Sequence, residues 1–283
     1  MISRIAIIAG FALRESVRKR VFVVVALLTV GFLVLYALGV WRVSQDTDFV
    51  SDSGVDGDIV AASTMLGLSM FATLFLGAIL AVFLTFSAVR GDAERGLLQP
   101  LLVRPLPRPT LLLGRFAAAA SVCFVYVIVV FLASVVITRQ FIDWWPDATV
   151  VPALEMGLAV CVIVALSLAG SIALSSTANG IAVFMLFGAG LTAGLLGQIA
   201  EALSSDTLEK VSRISSWALP FEALYQTALS AITADTSGFT RLAINLGPFG
   251  GAESYGAGLW PYTVAYFVAL AALASWAFRR RDL

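Results

Sequence analysis

From Met156 to Ala200 the chain runs for 45 residues without a charged side chain. As one helix that run would be about 68 Å long, more than twice the ~30 Å hydrocarbon thickness of a bilayer. One membrane crossing cannot hold it, so it must turn. The turn is expected at Ser175-Ser176-Thr177-Ala178-Asn179-Gly180, because Ser, Thr and Asn compete for backbone hydrogen bonds and Asn-Gly favours a turn. The run is thereby divided into spans four and five. Uncharged runs at Val21–Trp41, Ile59–Val89, Phe116–Thr138 and about Leu259–Phe278 supply spans one, two, three and six. The second, at 31 residues, would be about 46 Å long and implies tilt or an extension beyond the membrane. Composition agrees: 60% of residues are hydrophobic and 13% charged, far from a soluble domain, and a mean hydropathy of +0.95 excludes disorder. The expected fold is all-α, a polytopic membrane protein with six transmembrane helices in a single domain over 1–283.

Six spans place both termini on one side, and the charges say which. Lys and Arg accumulate in short cytoplasmic segments. The side holding the termini carries 13 of 18 basic residues: Arg4, Arg14, Arg18, Lys19, Arg20, Arg90, Arg95, Arg104, Arg108, Arg115, Arg279, Arg280 and Arg281. Only Arg42, Arg139, Lys210, Arg213 and Arg241 fall on the other side, with fourteen of the eighteen acidic residues. Net charges of +9 and −9 make the termini cytoplasmic. Tryptophans at 41, 144, 145, 217 and 260 near outer span ends, and at 276 near the inner end, fit interfacial belts. A cleaved signal peptide competes for the first span, but its twenty-residue leading segment and lack of a small-x-small cleavage site favour a retained anchor.

Residues 1–20 mix Ile2, Ile5, Ile7, Ile8, Phe11 and Leu13 with basic positions, which suits a helix lying on the inner leaflet. The segment Arg42–Asp58 holds five aspartates without the order of a calcium loop, so it reads as a solvated acidic loop. Residues 201–258 read as an extracytoplasmic loop between spans five and six, with a helix at Pro220–Ile232, placed to cap the outer end of a pathway.

The sequence has no histidine. That removes H-E-x-x-H metal proteolysis and imidazole-assisted Ser or Cys catalysis. Cys123 and Cys161 both fall within spans without a C-x-x-C partner, so no zinc or thiol-redox signal is present; they read as packing residues. The six spans, as bounded above, carry no ionisable side chain of the kind that marks proton and ion pathways. The two lysines, Lys19 and Lys210, follow Arg and Glu, so there is no G-x-x-x-x-G-K-[ST] loop. If cargo moves uphill, the motor is another chain.

The segment between spans two and three carries the most information. Its charged turn Arg90-Gly91-Asp92-Ala93-Glu94-Arg95-Gly96 leads into an apolar ridge at Leu97, Leu98, Leu101 and Leu102, then Pro105 and Pro107. A short amphipathic helix of this kind suits a groove on a cytoplasmic partner; a loop whose leucines dip into the lipid interface is the alternative. The stretch resembles the first cytoplasmic loop of ABC-2 type transporter permeases: an acidic residue with a charged neighbour, Gly-Thr, leucines, a Pro-basic element and Leu-Gly-Lys. The matching residues are Glu94, Arg95, Gly96, Leu98, Leu101, Leu102, Pro107, Arg108, Leu113, Gly114 and Arg115, with Leu97 in place of Thr and Arg115 in place of Lys. Weaker likeness extends to Glu15 with the basic cluster before span one, and to Leu219-Pro220-Phe221-Glu222-Ala223-Leu224-Tyr225.

The resemblance implies a dimeric permease in a prokaryotic cell membrane, paired with a second copy or a homologue. It would bind separate ABC ATP-binding subunits through residues 90–115. Asp92, Glu94, Arg95, Gly96, Leu97, Leu98, Leu101 and Leu102 would form the coupling helix. ATP and magnesium would belong to the partner, with no cofactor and no nucleic acid bound by this chain. An E-A-A-x-x-x-G importer loop is absent, which leans towards export. A pathway without buried charge, lined by spans carrying Ser, Thr and aromatic side chains, suits a hydrophobic or amphipathic cargo; Ser69, Thr85, Ser167, Ser171 and Thr192 are the candidate pathway lining, with interhelical hydrogen bonding as their other use. Gly190-x-x-x-Gly194 is a candidate for close helix approach. A non-transporting membrane anchor and a passive pore are the alternatives: the first predicts partner binding without ATP-dependent flux, the second flux in the isolated protein.

Overall fold

A computed structural model of the protein describes residues 10, 20–45, 57–85, 108–146, 148–232 and 254–279. Among these residues there are eight helices and no strand. In chain order they are α1 (Arg20–Ser44), α2 (Gly57–Thr85), α3 (Arg108–Ile142), α4 (Val150–Ala173), α5 (Ser176–Leu203), α6 (Asp206–Ala218), α7 (Pro220–Ile232) and α8 (Leu259–Arg279). All but α6 and α7 are long and apolar enough to cross a membrane. These six coincide with the six spans expected. The long uncharged run does break into two helices, at Leu174 and Ser175.

The break is one step earlier than expected, and Asn179-Gly180 is not a turn. The Ser175 carbonyl accepts the Asn179 amide at 2.8 Å, which sets Asn179 in the first turn of α5. A second correction concerns span four. Its helix starts at Val150, six residues before the uncharged run, so Glu155 lies inside it with 1% of its surface exposed. Bounding a span at charged residues starts it at Met156, and a buried carboxyl within the helix breaks that rule. Likewise α3 extends past the uncharged run at both ends and includes Arg115 and Arg139.

Helix α4 is the axis of the bundle. It packs on α3, α7, α2, α8 and α5, and its residues Met156, Val160, Ile163 and Val164 join one continuous core with Met70, Leu74, Cys123, Val127, Phe131, Leu224 and Tyr225. The Cys161 thiol points at the Ala120 carbonyl, 3.8 Å away, and both cysteines are free and buried. By contrast α1 leaves Val23, Leu27, Val30, Val34 and Leu35 exposed. Its inner face packs Val25, Tyr36 and Val40 into the bundle, and two hydrogen bonds of 2.6 Å, Thr29 with Tyr126 and Tyr36 with Thr138, add to that hold. In an apolar surround such bonds replace the hydrophobic drive that lipid cannot supply.

One end of the bundle gathers the start of α1, the stop of α8 and the α4–α5 junction. Leu112, Leu168, Ile172, Ala274 and Phe278 pack together there. We call this the terminal end, and its opposite the far end. The stretches 1–9 and 11–19, the acidic residues 46–56 and the segment 86–107 lie outside the described residues, and with them the expected inner-leaflet helix and acidic loop.

Candidate functional site

The eight coupling candidates, Asp92, Glu94, Arg95, Gly96, Leu97, Leu98, Leu101 and Leu102, lie outside the described residues. The five lining candidates are described, and the structure brings two of them into contact. Thr85, the last residue of α2, and Ser167 of α4 share a 2.6 Å hydrogen bond. Asn179 of α5 donates from Nδ2 to the Ser167 carbonyl at 2.9 Å and to Ser167 Oγ at 3.4 Å. Donor counting gives this chain a direction. A hydroxyl has one proton, and Thr85 Oγ1 gives its own to the Ala81 carbonyl at 2.8 Å. Ser167 must therefore donate to Thr85 while accepting from Asn179. The relay runs Asn179, Ser167, Thr85, Ala81 across three helices, wholly buried. Asn179 fits because Gly170 has no side chain: a Cβ there would collide with Asn179 Oδ1. That oxygen has no hydrogen-bond partner.

The other lining candidates stand apart from this relay. Ser171, one turn further along α4, bonds back to the Leu168 carbonyl at 2.7 Å. Ser69 is buried in α2 beside the Tyr36 phenol. Thr192 is exposed on α5 and bonds back to Gly188.

Towards the far end the main feature is a helical hairpin. After Leu203 the chain reverses through Ser204, whose φ of 48° is left-handed, as helix ends commonly are. Helix α6 then returns alongside α5, and Ser212 donates to the Ala193 carbonyl at 2.8 Å. At Leu219-Pro220 it turns again, Pro being suited to the first position of a helix. Helix α7 climbs back between α4 and α5. The Gly190-x-x-x-Gly194 stripe receives it: a Cβ at Gly190 would meet the Phe221 ring, and one at Gly194 would meet Glu222 Oε1 and Gln226 Nε2. The stripe does bring two helices together, the partner being α7. Gly190 lies midway along α5, so the hairpin tip reaches about half the depth of the bundle.

Two tyrosines of α8 hold that tip. Tyr262 donates to the Trp217 carbonyl at 2.6 Å and Tyr266 to the Ala218 carbonyl at 3.2 Å. The last carbonyls of a helix have no partner within it, and α8 supplies these. The Trp217 and Tyr262 rings meet edge to face at 4.6 Å between centroids.

The hairpin is also where polar groups are buried at a cost. Glu222 is fully buried and accepts from Gln226 Nε2 at 3.0 Å through Oε1, while its Oε2, Gln226 Oε1, Tyr225 Oη and Ser216 Oγ have no partner. Burial pushes the Glu222 carboxyl up to about 8, against the Gln226 hydrogen bond, which lowers it. In α4, Glu155 sits beside Trp260 with Oε2 unpartnered. No group of three or more metal-ligating side chains occurs among the described residues.

Sequence reasoning missed Glu155, Asn179, helix α6 and the two tyrosines. Asn179 is legible as the one asparagine in a 45-residue uncharged run; the glycine that follows it favours the turn reading. With the geometry in place, comparison with known proteins adds one finding. The family described as ABC-2 family transporter protein matches residues 6–283. Among curated proteins none matches the chain.

Proposed function

The chain belongs to the ABC-2 transporter family and is a transmembrane subunit of an ABC transporter, and from that premise we propose that it exports an amphipathic cargo by alternating access, driven by a separate ATPase. The observation that carries this reading is the α6–α7 hairpin: two helices of 13 residues each, too short to cross, folded back into the bundle beside α4 and α5. A membrane anchor has no need of such a plug. A transporter needs an element that closes one end while the other is open.

The proposed roles follow from position. The terminal end faces the cytoplasm, as the charge asymmetry of the sequence favours. There the partner ATPase engages residues 92–102, and the leucine ridge docks in a groove of the partner. Nucleotide-driven closure of that partner favours the conformation with which its contacts are better, and α7 leaves its seat on α5. Cargo with both apolar and polar parts suits the interior better than a bare ion. Its described walls are aliphatic and aromatic, yet α4 and α7 carry the buried carboxyls Glu155 and Glu222, neither with a basic partner among the described residues. The chain contributes contacts and motion, with bond chemistry left to the partner.

The test is gentle detergent purification of the complex from its native membrane. A nucleotide-binding subunit is expected to co-purify, and Leu98→Asp is expected to release it while the permease stays folded. Intact complex without any ATPase would refute the reading in favour of an anchor; flux through the isolated chain would favour a pore.

A further inference from the structure

The Asn179–Ser167–Thr85 relay ties α2 to α4 and α5, and Thr85 precedes the first coupling candidate, Asp92, by seven residues in the chain. Resting on the function proposed above, we infer that these three buried side chains are positioning residues: they form the joint through which displacement of α2 at Thr85 turns the α4–α5 hairpin and shifts α7 at the far end.

Three features of the site support a joint over a simple tie. First, the relay hydrogen-bonds α2 directly to α4 and, through Ser167, to α5. Thr85 is bonded to Ser167, and Ser167 in turn to Asn179. Displacement of Thr85 thus acts on α4 and α5 together. Second, the relay has a spare acceptor. Asn179 Oδ1 is buried against Gly170 with no donor, and a buried acceptor left unpaired is costly. A small shift of Thr85 or Ser167 can hand it a hydroxyl, which gives the relay a second satisfied arrangement rather than a continuum of strained ones. Packed interiors switch between discrete arrangements in this way. Third, α4 links the two ends. It carries Ser167 at the terminal end, while its residues Ala153, Met156 and Val160 join the same core as Phe221, Leu224, Tyr225 and Ala228 of α7. Rotation of a helix packed this tightly has to be answered by α7.

The test reads α7 while altering Thr85. Ala228, fully buried on α7, is replaced by cysteine, and labelling by a membrane-impermeant maleimide is followed in the complex with its own ATPase, with and without Mg-ATP and vanadate. The two natural cysteines are buried in the bundle and serve as the unlabelled background. In the Ala228→Cys parent, nucleotide is expected to change the labelling rate at least about fivefold, the lower end of ordinary allosteric coupling. Adding Thr85→Val, which keeps the side-chain volume and removes the hydroxyl, is expected to bring the ratio close to one while the ATPase still co-purifies. Thr85→Ser restores the hydroxyl and is expected to restore the response.

A purely structural role would lower thermal stability in Thr85→Val and leave the nucleotide response in place, and that result overturns the joint. Loss of response in both variants also overturns it, since the hydroxyl would then not be the transmitting group. A parent that carries no ATPase, or whose α7 ignores nucleotide, overturns the proposed function itself and the joint with it.

Discussion

Glu222 shows how one side chain sets the terms for a whole contact. Its carboxyl is held against the bare backbone of Gly194 with one oxygen bonded to Gln226 and the other unpaired, so a negative charge there has no compensation. Burial therefore raises its pKa from 4.5 to about 8. A group whose pKa is higher when docked binds its proton more tightly when docked. Its contribution is fully present below the undocked value and is lost as pH rises through the docked one. Docking of α7 should weaken between about pH 4.5 and about pH 8. In melts of the detergent-solubilised complex, the native protein should lose thermal stability on going from about pH 5 to about pH 9, and Glu222→Gln should remove most of that loss. An equal loss in the variant would move the titration elsewhere. Residues of this kind are hard to read from sequence. Glu222 stands in an ordinary amphipathic stretch, and only the arrival of Gly194 opposite it makes it unusual. Glu155 was hidden differently, because a rule that ends spans at charges places every charge outside them.

At the scale of elements, the six spans were legible because hydropathy is a property of each segment alone. The hairpin was half legible. Helix α7 has the bounds expected for it, Pro220–Ile232, since its apolar residues recur at helical spacing after a proline. Helix α6 escaped because its burial is inverted. Its packed residues are Ser212 and Ser216, while Val211 and Ile214 face outward; serines fit here because α5 approaches closely enough for Ser212 to bond its backbone. No hydrophobic stripe announces that contact. The latch from α8 yields a prediction at this scale. Tyr262→Phe keeps the ring contact with Trp217 and removes the bond to its carbonyl, which should cost about 1 kcal/mol. Hydrogen exchange at residues 216–221 should accelerate by about fivefold, with spans α2 and α4 unchanged. Tyr266→Phe, whose bond is longer at 3.2 Å, should have the smaller effect, and the reverse order would mean that the tip is held by ring packing alone.

For the whole molecule, the most telling feature of the sequence is the placement of charge, since net charge is zero and yet the two faces differ by +9 against −9. By the positive-inside rule that asymmetry favours cytoplasmic termini, the orientation proposed above. A green fluorescent protein fused after Leu283 should fluoresce, and alkaline phosphatase at the same point should be inactive. The opposite pair of results would invert every assignment of inner and outer made above. The coupling surface is the part of the site that rests on sequence likeness, and the relay at Thr85 is the part that rests on geometry. They lie seven residues apart in the chain, Thr85 before Asp92, yet the loop motif says nothing of Ser167 or Asn179, 73 and 85 residues beyond Glu94, because hydrogen bonds between spans leave no local signature.

The inward-facing serines of α6 also bear on how the protein is made. Asp206, Glu209, Lys210 and Arg213 give this 13-residue helix four charges, and such a segment does not partition into lipid by itself. It cannot enter the membrane as a span during synthesis. Its place exists only once α5 has been inserted, offering the Ala193 carbonyl to Ser212, and its tip is secured only after the ribosome has delivered Tyr262 and Tyr266. The hairpin can therefore be latched only after α8 has been made, and a chain stalled before α8 would hold five spans and a hairpin without its two tyrosine bonds.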